Sequence, residues 1–236
     1  MGPEALEQLF INGERHGNKS AGVAYVDSSG EVRTVKEAVS PERFVKDGFL
    51  TDASNLADSA WNSTLGIGHT RAPTHGEVCA RNAHPFEHQG YVYAHNGIVV
   101  NYKELGNTEV DSQVLGPLIK DRKLSMALGS VGLVWITPDR KLRCYRTGQG
   151  LAAHVYEFSG GDWLVIVASR DYIIPSFIKE SAVRMSTPDL VPGVEYEVAR
   201  TGVYAVHNHL SSGYEAPRTT AVVRQYASHL DRELES

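Results

Sequence analysis

The chain has 236 residues, of which 42% are hydrophobic, and a formal net charge of −5. It can bury a substantial core as one large domain or two small ones, and with no basic run it excludes partners held by counterion release from nucleic acid. Its two cysteines, Cys79 and Cys144, exclude a disulfide framework and point to a reducing cytoplasm.

The first residues, MGPEALEQLF, lack the basic and long apolar regions of a signal peptide, and no stretch approaches the ~20 apolar residues of a membrane span. Residues 3–12 predict a helix. Pro3 suits its first position, Glu4 its positive end, Leu6, Leu9 and Phe10 one face, and Gly13 its close. SAGVAYVD and EVRTVKEAV predict two strands joined by the turn SSG. SPERFVKDGFL predicts a helix capped by Ser40 and opened by Pro41, and TDASNLADSAW continues as another. LGIGHTRA and YVYAHNGIVV read as strands, and DSQVLGPLIKDR as a helix interrupted at Gly116 and Pro117. Beyond residue 130, GLVWITPD, KLRCYRT, AAHVYEF, WLVIVASR, GVEYEVAR and GVYAVHNHL read as further strands. Helices clustered among many strands predict a layered α+β fold. In the last stretch, Val222, Val223, Tyr226, Leu230 and Leu234 recur at helical spacing, which predicts an amphipathic helix that docks on the domain or on a partner.

Four polar constellations stand out. GIGHTRAPTHG, residues 66–76, reads either as a strand running into a solvated loop or as a site in which Arg71 offers its planar fork to a carboxylate. In AHNGIVV, Asn-Gly between apolar runs is a hairpin signal. Alternatively, Asn96 and the Gly97 N–H are donors to a developing oxyanion, where glycine allows a close approach. Asp111 in EVDSQVL is either a helix cap or a partner for an ammonium group. HPFEH, residues 84–88, matches the zinc-peptidase pattern H-x-x-E-H in letters only, because Pro85 and Gly90 break the helix that motif needs; loop histidines are the better reading. His16, His154, His207, His209 and His229 have no ligand-like spacing. No P-loop, G-x-S-x-G or dinucleotide fingerprint is present, so no metal and no cofactor is expected.

In this order, GHTR…THG, NAHPF, HNGIVVNYKEL and DSQVL resemble the class II glutamine amidotransferase domain, a member of the N-terminal-nucleophile hydrolases. The resemblance starts near ALEQLFINGERHGNKSAGVAYVD and covers most of residues 4–200. It implies a four-layer αββα sandwich in residues 1–210, followed by a tail, 211–236, with the amphipathic helix. It also implies that Arg71 holds a substrate α-carboxylate with His75 close by, that Asn96 and Gly97 form the oxyanion hole, and that Asp111 holds the α-ammonium. Enzymes of this family hydrolyse the side-chain amide of glutamine and pass ammonia to an acceptor domain.

The chain also departs from the pattern. The family's nucleophile is an N-terminal cysteine, exposed when the initiator Met is removed, which begins a β-strand ahead of the first helix. Here MG leads directly into PEALEQLF, and Cys79 does not fit as a substitute. His16-Gly17 stands where the family has Arg-Gly, and Ala72 where a larger aromatic often follows the arginine. The resulting expectation is a non-catalytic homologue that keeps a pocket for glutamine or a similar small molecule. One alternative is an active amidotransferase whose cysteine-bearing strand lies outside this chain. The other is a scaffold that binds protein through its C-terminal helix or an open sheet edge.

Overall fold

A computed structural model describes residues 3–51, 60, 63–186 and 190–209. Most of the helix expected over TDASNLADSAW, residues 51–61, and the C-terminal helix fall outside these.

Helix α1 (Pro3–Gly13) and strands β1 (Ser20–Val26) and β2 (Val32–Glu37) follow the sequence closely. Helix α2 (Pro41–Lys46) begins where Ser40 Oγ accepts from Arg43 N at 3.3 Å, the cap its sequence specifies. Strand β3 (Gly66–Arg71) pairs with β1, so Ser20 faces Arg71 and Ala24 faces Ile67. Next come β4 (Phe86–His88), β5 (Tyr91–Val99) and the short α3 (Tyr102–Leu105). A 3-10 turn (Asp111–Val114) runs directly into α4 (Leu115–Lys120). Strands β6 (Gly129–Ile136), β7 (Leu142–Arg146), β8 (Ala152–Phe158) and β9 (Trp163–Ala168) precede α5 (Ser176–Ser181), β10 (Ala182–Ser186), β11 (Val194–Ala199) and β12 (Gly202–Asn208).

Strand pairing gives a six-stranded sheet, β12-β11-β7-β6-β5-β4, and two three-stranded sheets, β2-β1-β3 and β10-β8-β9. Period-2 alternation sorts the side chains into layers. On one face of the large sheet, Tyr93, Leu133, Trp135 and Tyr145 pack against Val114, Leu115, Leu118 and Ile119 of the 3-10 turn and α4. On its other face, Val92, Ala94 and Ile136 meet Ala24 and Ile67 of the first small sheet. Cys144 and Tyr196 of the same large sheet meet Ala153, Val165 and Val167 of the second. Val134 of β6 packs against both clusters, so the two small sheets share one face of the large one. Outside them, Phe10 of α1 and Phe44 of α2 cover β1, while Ala5 of α1 and Ile178 of α5 cover Tyr156, Ile166 and Ala168. The order helix, sheet, sheet, helix is the αββα sandwich expected of an N-terminal-nucleophile hydrolase fold.

Three local expectations are corrected. DSQVLGPLIK is not interrupted at Gly116-Pro117, since both lie inside α4 and the change of winding falls at Val114–Leu115. Pro117 is tolerated because the N–H groups of a helix's first turn have no intrahelical partner to lose. Asn96-Gly97 makes no hairpin: β5 continues through it, with Asn96 opposite Gly132 and Gly97 opposite Val131. HPFEH is not all loop, because Phe86–His88 form β4 and pair with Tyr91–Tyr93.

Candidate active site

The motifs converge at the C-terminal ends of β3 and β5. Alternation along β3 turns Ile67, His69 and Arg71 toward the large sheet, with Gly66, Gly68 and Thr70 facing outward beneath α1. The chain after α1 wraps this end of β3: Thr70 Oγ1 donates to Gly13 O at 2.7 Å, and Lys19 N donates to Arg71 O at 3.1 Å.

Arg71 is buried, 3% exposed, so its charge must be used locally. Its Nη2 donates to the His75 carbonyl and its Nη1 to the Glu77 carbonyl at 3.4 Å, drawing residues 72–77 around the guanidinium. A second latch holds the loop from outside. Glu109 accepts from Glu77 N at 3.0 Å and from Asn82 Nδ2 at 2.8 Å, and pairs with Arg81 at 3.1 Å.

Asp111 is 1% exposed. It does not cap the 3-10 turn that it begins; its Oδ2 accepts from Val99 N at 2.9 Å, tying the turn to the end of β5. Its other oxygen lies 3.8 Å from His75 Nδ1, and the His75 ring packs 5.0 Å from that of Tyr102. The structure therefore brings Arg71, His75 and Asp111 together: Arg71 holds the His75 carbonyl, the His75 ring lies beside Asp111, and the Arg71 and Asp111 charges act on each other.

Asn96 and Gly97 precede this point on β5 and are both half-buried. Gly97 has φ +137, and a Cβ there would lie 1.8 Å from Ser130 O, so only glycine fits. Asn96 Nδ2 lies 3.3 Å from His16 Nε2, a contact that histidine spacing did not reveal. Only the resemblance, in which His16-Gly17 stands where the family has Arg-Gly, pointed to this position.

Three further histidines lie between the sheets, His84 and His95 buried and His69 of β3 half-buried. The rings of His69 and His84 are 4.1 Å apart, and His95 Nδ1 lies 2.9 Å from Ser112 Oγ. Among the described residues, His69 Nδ1 and both nitrogens of His84 have no hydrogen-bond partner. Burial drives all three toward the neutral form, His69 to about 3, His95 to about 4 and His84 well below 6.5. Each folded-state value lies below the unfolded one, so stability is full above pH 6.5 and is lost as pH falls toward 4. Each group costs at most ~1.4 kcal/mol per pH unit in that window. The urea midpoint is expected to fall steadily between pH 7 and pH 4.5; a flat profile would show that these rings are protonated without penalty.

Neither cysteine contacts Asn96 or Gly97 among the described residues. Cys144 is fully buried between the sheets, and burial raises its thiol far above the usual range. Cys79 lies on the outer loop with its Sγ 3.9 Å from Glu77 O. No group of three or more potential ligands stands in metal-binding geometry among the described residues. No described helix is long and apolar enough to cross a membrane.

No family model matches the chain. Curated relatives do. Glutamine–fructose-6-phosphate aminotransferase [isomerizing] of Rhizobium meliloti is 36% identical over 126 residues, covering 49% of this chain and 19% of that protein. The protein of the same name from Halalkalibacterium halodurans is 33% identical over 111 residues, covering 44% and 17%. Among solved structures, glutamine phosphoribosylpyrophosphate amidotransferase from B. subtilis, complexed with ADP and GMP, superposes with a TM-score of 0.64 at 20% identity. That match covers 89% of this chain and 47% of the other. The chain thus spans about a fifth of the length of the curated relatives it matches. The fold is that of the N-terminal-nucleophile hydrolases. Over about half of its residues the chain is similar in sequence to these glutamine-dependent aminotransferases, and in fold it is similar to the amidotransferase.

Proposed function

We propose that this domain binds glutamine, or an amino acid closely like it, without hydrolysing it. The observation that carries the reading is the convergence of Arg71, His75 and Asp111 at the end of β5 beside Asn96 and Gly97. A free amino acid presents a carboxylate and an ammonium on one carbon, and Arg71 and Asp111 offer one charge for each. Two of the five N–H groups of Arg71 donate to its loop, and in this reading the ligand carboxylate takes the others. Asn96 and the Gly97 backbone then face the side-chain carbonyl as donors. The relatives that match are named for reactions of glutamine, which supports the choice of ligand. The absence of a thiol beside these donors among the described residues supports binding without turnover, since a catalytic unit fails grossly when one member is missing. We place the protein in the cytoplasm, in line with its free cysteines.

A second reading is favoured by the small sheets. Among the described residues their edge strands β3 and β9 are each paired on one side only, and α1 packs across both. Strand β9, WLVIVA, is apolar on both faces yet mostly half-buried, as an interior strand would read with one neighbour missing. A nucleophile-bearing strand supplied there from outside the described residues would make the domain a working amidotransferase.

Titration calorimetry with glutamine, paired with an ammonia-release assay, separates the readings. Binding without ammonia is the expected result. Ammonia release that survives Cys79→Ala overturns it in favour of the second reading. Neither binding nor release leaves a protein-binding scaffold, for which deletion of residues 217–236 should abolish partner capture.

A further inference from the structure

His16 stands at the junction of the two halves of the site. It follows α1 in a tight turn, with His16 N donating to Gly13 O at 2.8 Å and Gly17 N to the same carbonyl at 3.3 Å. Gly17 seats that turn directly on the arginine strand: a Cβ there would lie 2.2 Å from Arg71 C and 2.3 Å from Ala72 N, so no other residue allows the approach. The turn projects the imidazole across to β5, where Nε2 meets Asn96 Nδ2 at 3.3 Å. Tyr172, from the segment after β9, closes the other side with ring centroids 6.5 Å apart. One residue thus joins the end of α1, through its backbone, to the oxyanion-donor strand and the segment after β9, through its ring.

We propose that His16 is the positioning residue that sets which end of the Asn96 amide the site presents, and that it thereby couples ligand affinity to pH; the proposal rests on the glutamine-binding reading above. When Asn96 Nδ2 donates to His16 Nε2, that nitrogen carries the lone pair and the ring proton sits on Nδ1. The second Nδ2 hydrogen remains for a ligand carbonyl. Protonating His16 places an N–H at Nε2, facing the amide NH2, donor against donor. Turning the amide over relieves the conflict, since Oδ1 then accepts from Nε2. The same turn puts an acceptor where the ligand carbonyl needs a donor, so affinity falls.

The charged and titratable groups facing His16 are Arg170 and Tyr172 after β9 and His69 on β3, with no carboxylate among the interactions described for it. Burial and the Arg170 charge both favour the neutral ring, holding its pKa below 6.5. The donor-presenting state is therefore the resting one at neutral pH, and acidification reverses it.

The test compares wild type with His16→Gln, whose side-chain oxygen accepts from Asn96 and does not titrate. Glutamine affinity is measured by calorimetry from pH 8 to pH 5.5. Below the His16 pKa, wild-type affinity is expected to fall by up to about tenfold per pH unit. His16→Gln should lose that component. His75 shares the pocket, so the readout is the difference between the two slopes. In parallel, the Asn96 side-chain amide resonances of the ligand-free wild type are followed by NMR over the same range and should shift with the His16 ring. Equal slopes in the two proteins, or Asn96 resonances indifferent to His16 protonation, overturn the proposal. If glutamine binds at no pH, the binding reading fails, and the NMR titration alone decides whether His16 controls Asn96.

Discussion

Replacing Gly97 by alanine is expected to lower the melting temperature by about 8–16 °C, the shift that ~4 kcal/mol produces in a domain of this size. Two independent penalties meet at this position. The backbone sits at φ +137, where a Cβ is strained whatever surrounds it. The added atom would also stand 1.8 Å from Ser130 O, far inside contact distance. That oxygen belongs to β6, the hydrogen-bonded partner of β5, so it cannot swing away as a side-chain tip could. The strands must part near the C-terminal end of β5, beside fully buried Val131 and Leu133. Gly160→Ala supplies the control: no atom lies within 4 Å of its added carbon, and the site is exposed. It should change stability by less than ~0.5 kcal/mol. Matched thermal scans of the two variants give the answer, and a Gly97→Ala protein melting with the control would show that β5 yields more readily than its pairing implies.

This glycine also shows where reading the sequence succeeds and where it stops. Locally, Asn-Gly between apolar runs is a turn signal, because glycine supplies the positive φ that a hairpin needs. The structure does use a positive φ at Gly97, but to admit a neighbouring strand within a nine-residue β5 rather than to reverse the chain. Which of these applies depends on β6, more than 30 residues away, and no local pattern contains that information. Asp111 is similar. Its place before a helical pattern reads as a cap, yet its carboxylate reaches back to Val99 N. Strand β1, buried on both faces, and the Ser40 cap were legible because their determinants lie within a few residues. Strand order was not, and neither were the brief β4, α3, α5 and β10, each six residues or fewer. His16 shows the same limit: its role is written in Gly17 and in the approach of β5, not in the spacing of histidines.

Arg71 carries the other large effect, this time on binding. Arg71→Ala is expected to weaken glutamine binding by about 30-fold to several thousandfold, corresponding to the ~2–5 kcal/mol lost when one partner of a buried charge pair is removed. The site amplifies the loss because Asp111 stays behind, 1% exposed, without the Arg71 charge that it interacts with. Arg71→Lys retains the charge but not the planar fork that holds two loop carbonyls while facing a carboxylate, so it should recover only part of the affinity. The loop itself should survive either change, since Glu109 independently holds Glu77 N and Asn82. That second anchor separates lost binding from lost shape: the loop amide resonances of Arg71→Lys should stay near their wild-type positions while affinity drops. Arg81→Ala serves as the charge-matched control, because its guanidinium is 68% exposed and pairs with Glu77 and Glu109 on the outer side of the loop. It should leave affinity within about twofold, as expected of a surface ion pair. If Arg81→Ala and Arg71→Ala weaken glutamine equally, the effect is general charge rather than a carboxylate fork. If Arg71→Ala binds glutamine like wild type, the ligand's carboxylate lies elsewhere and the loop is only a structural clasp.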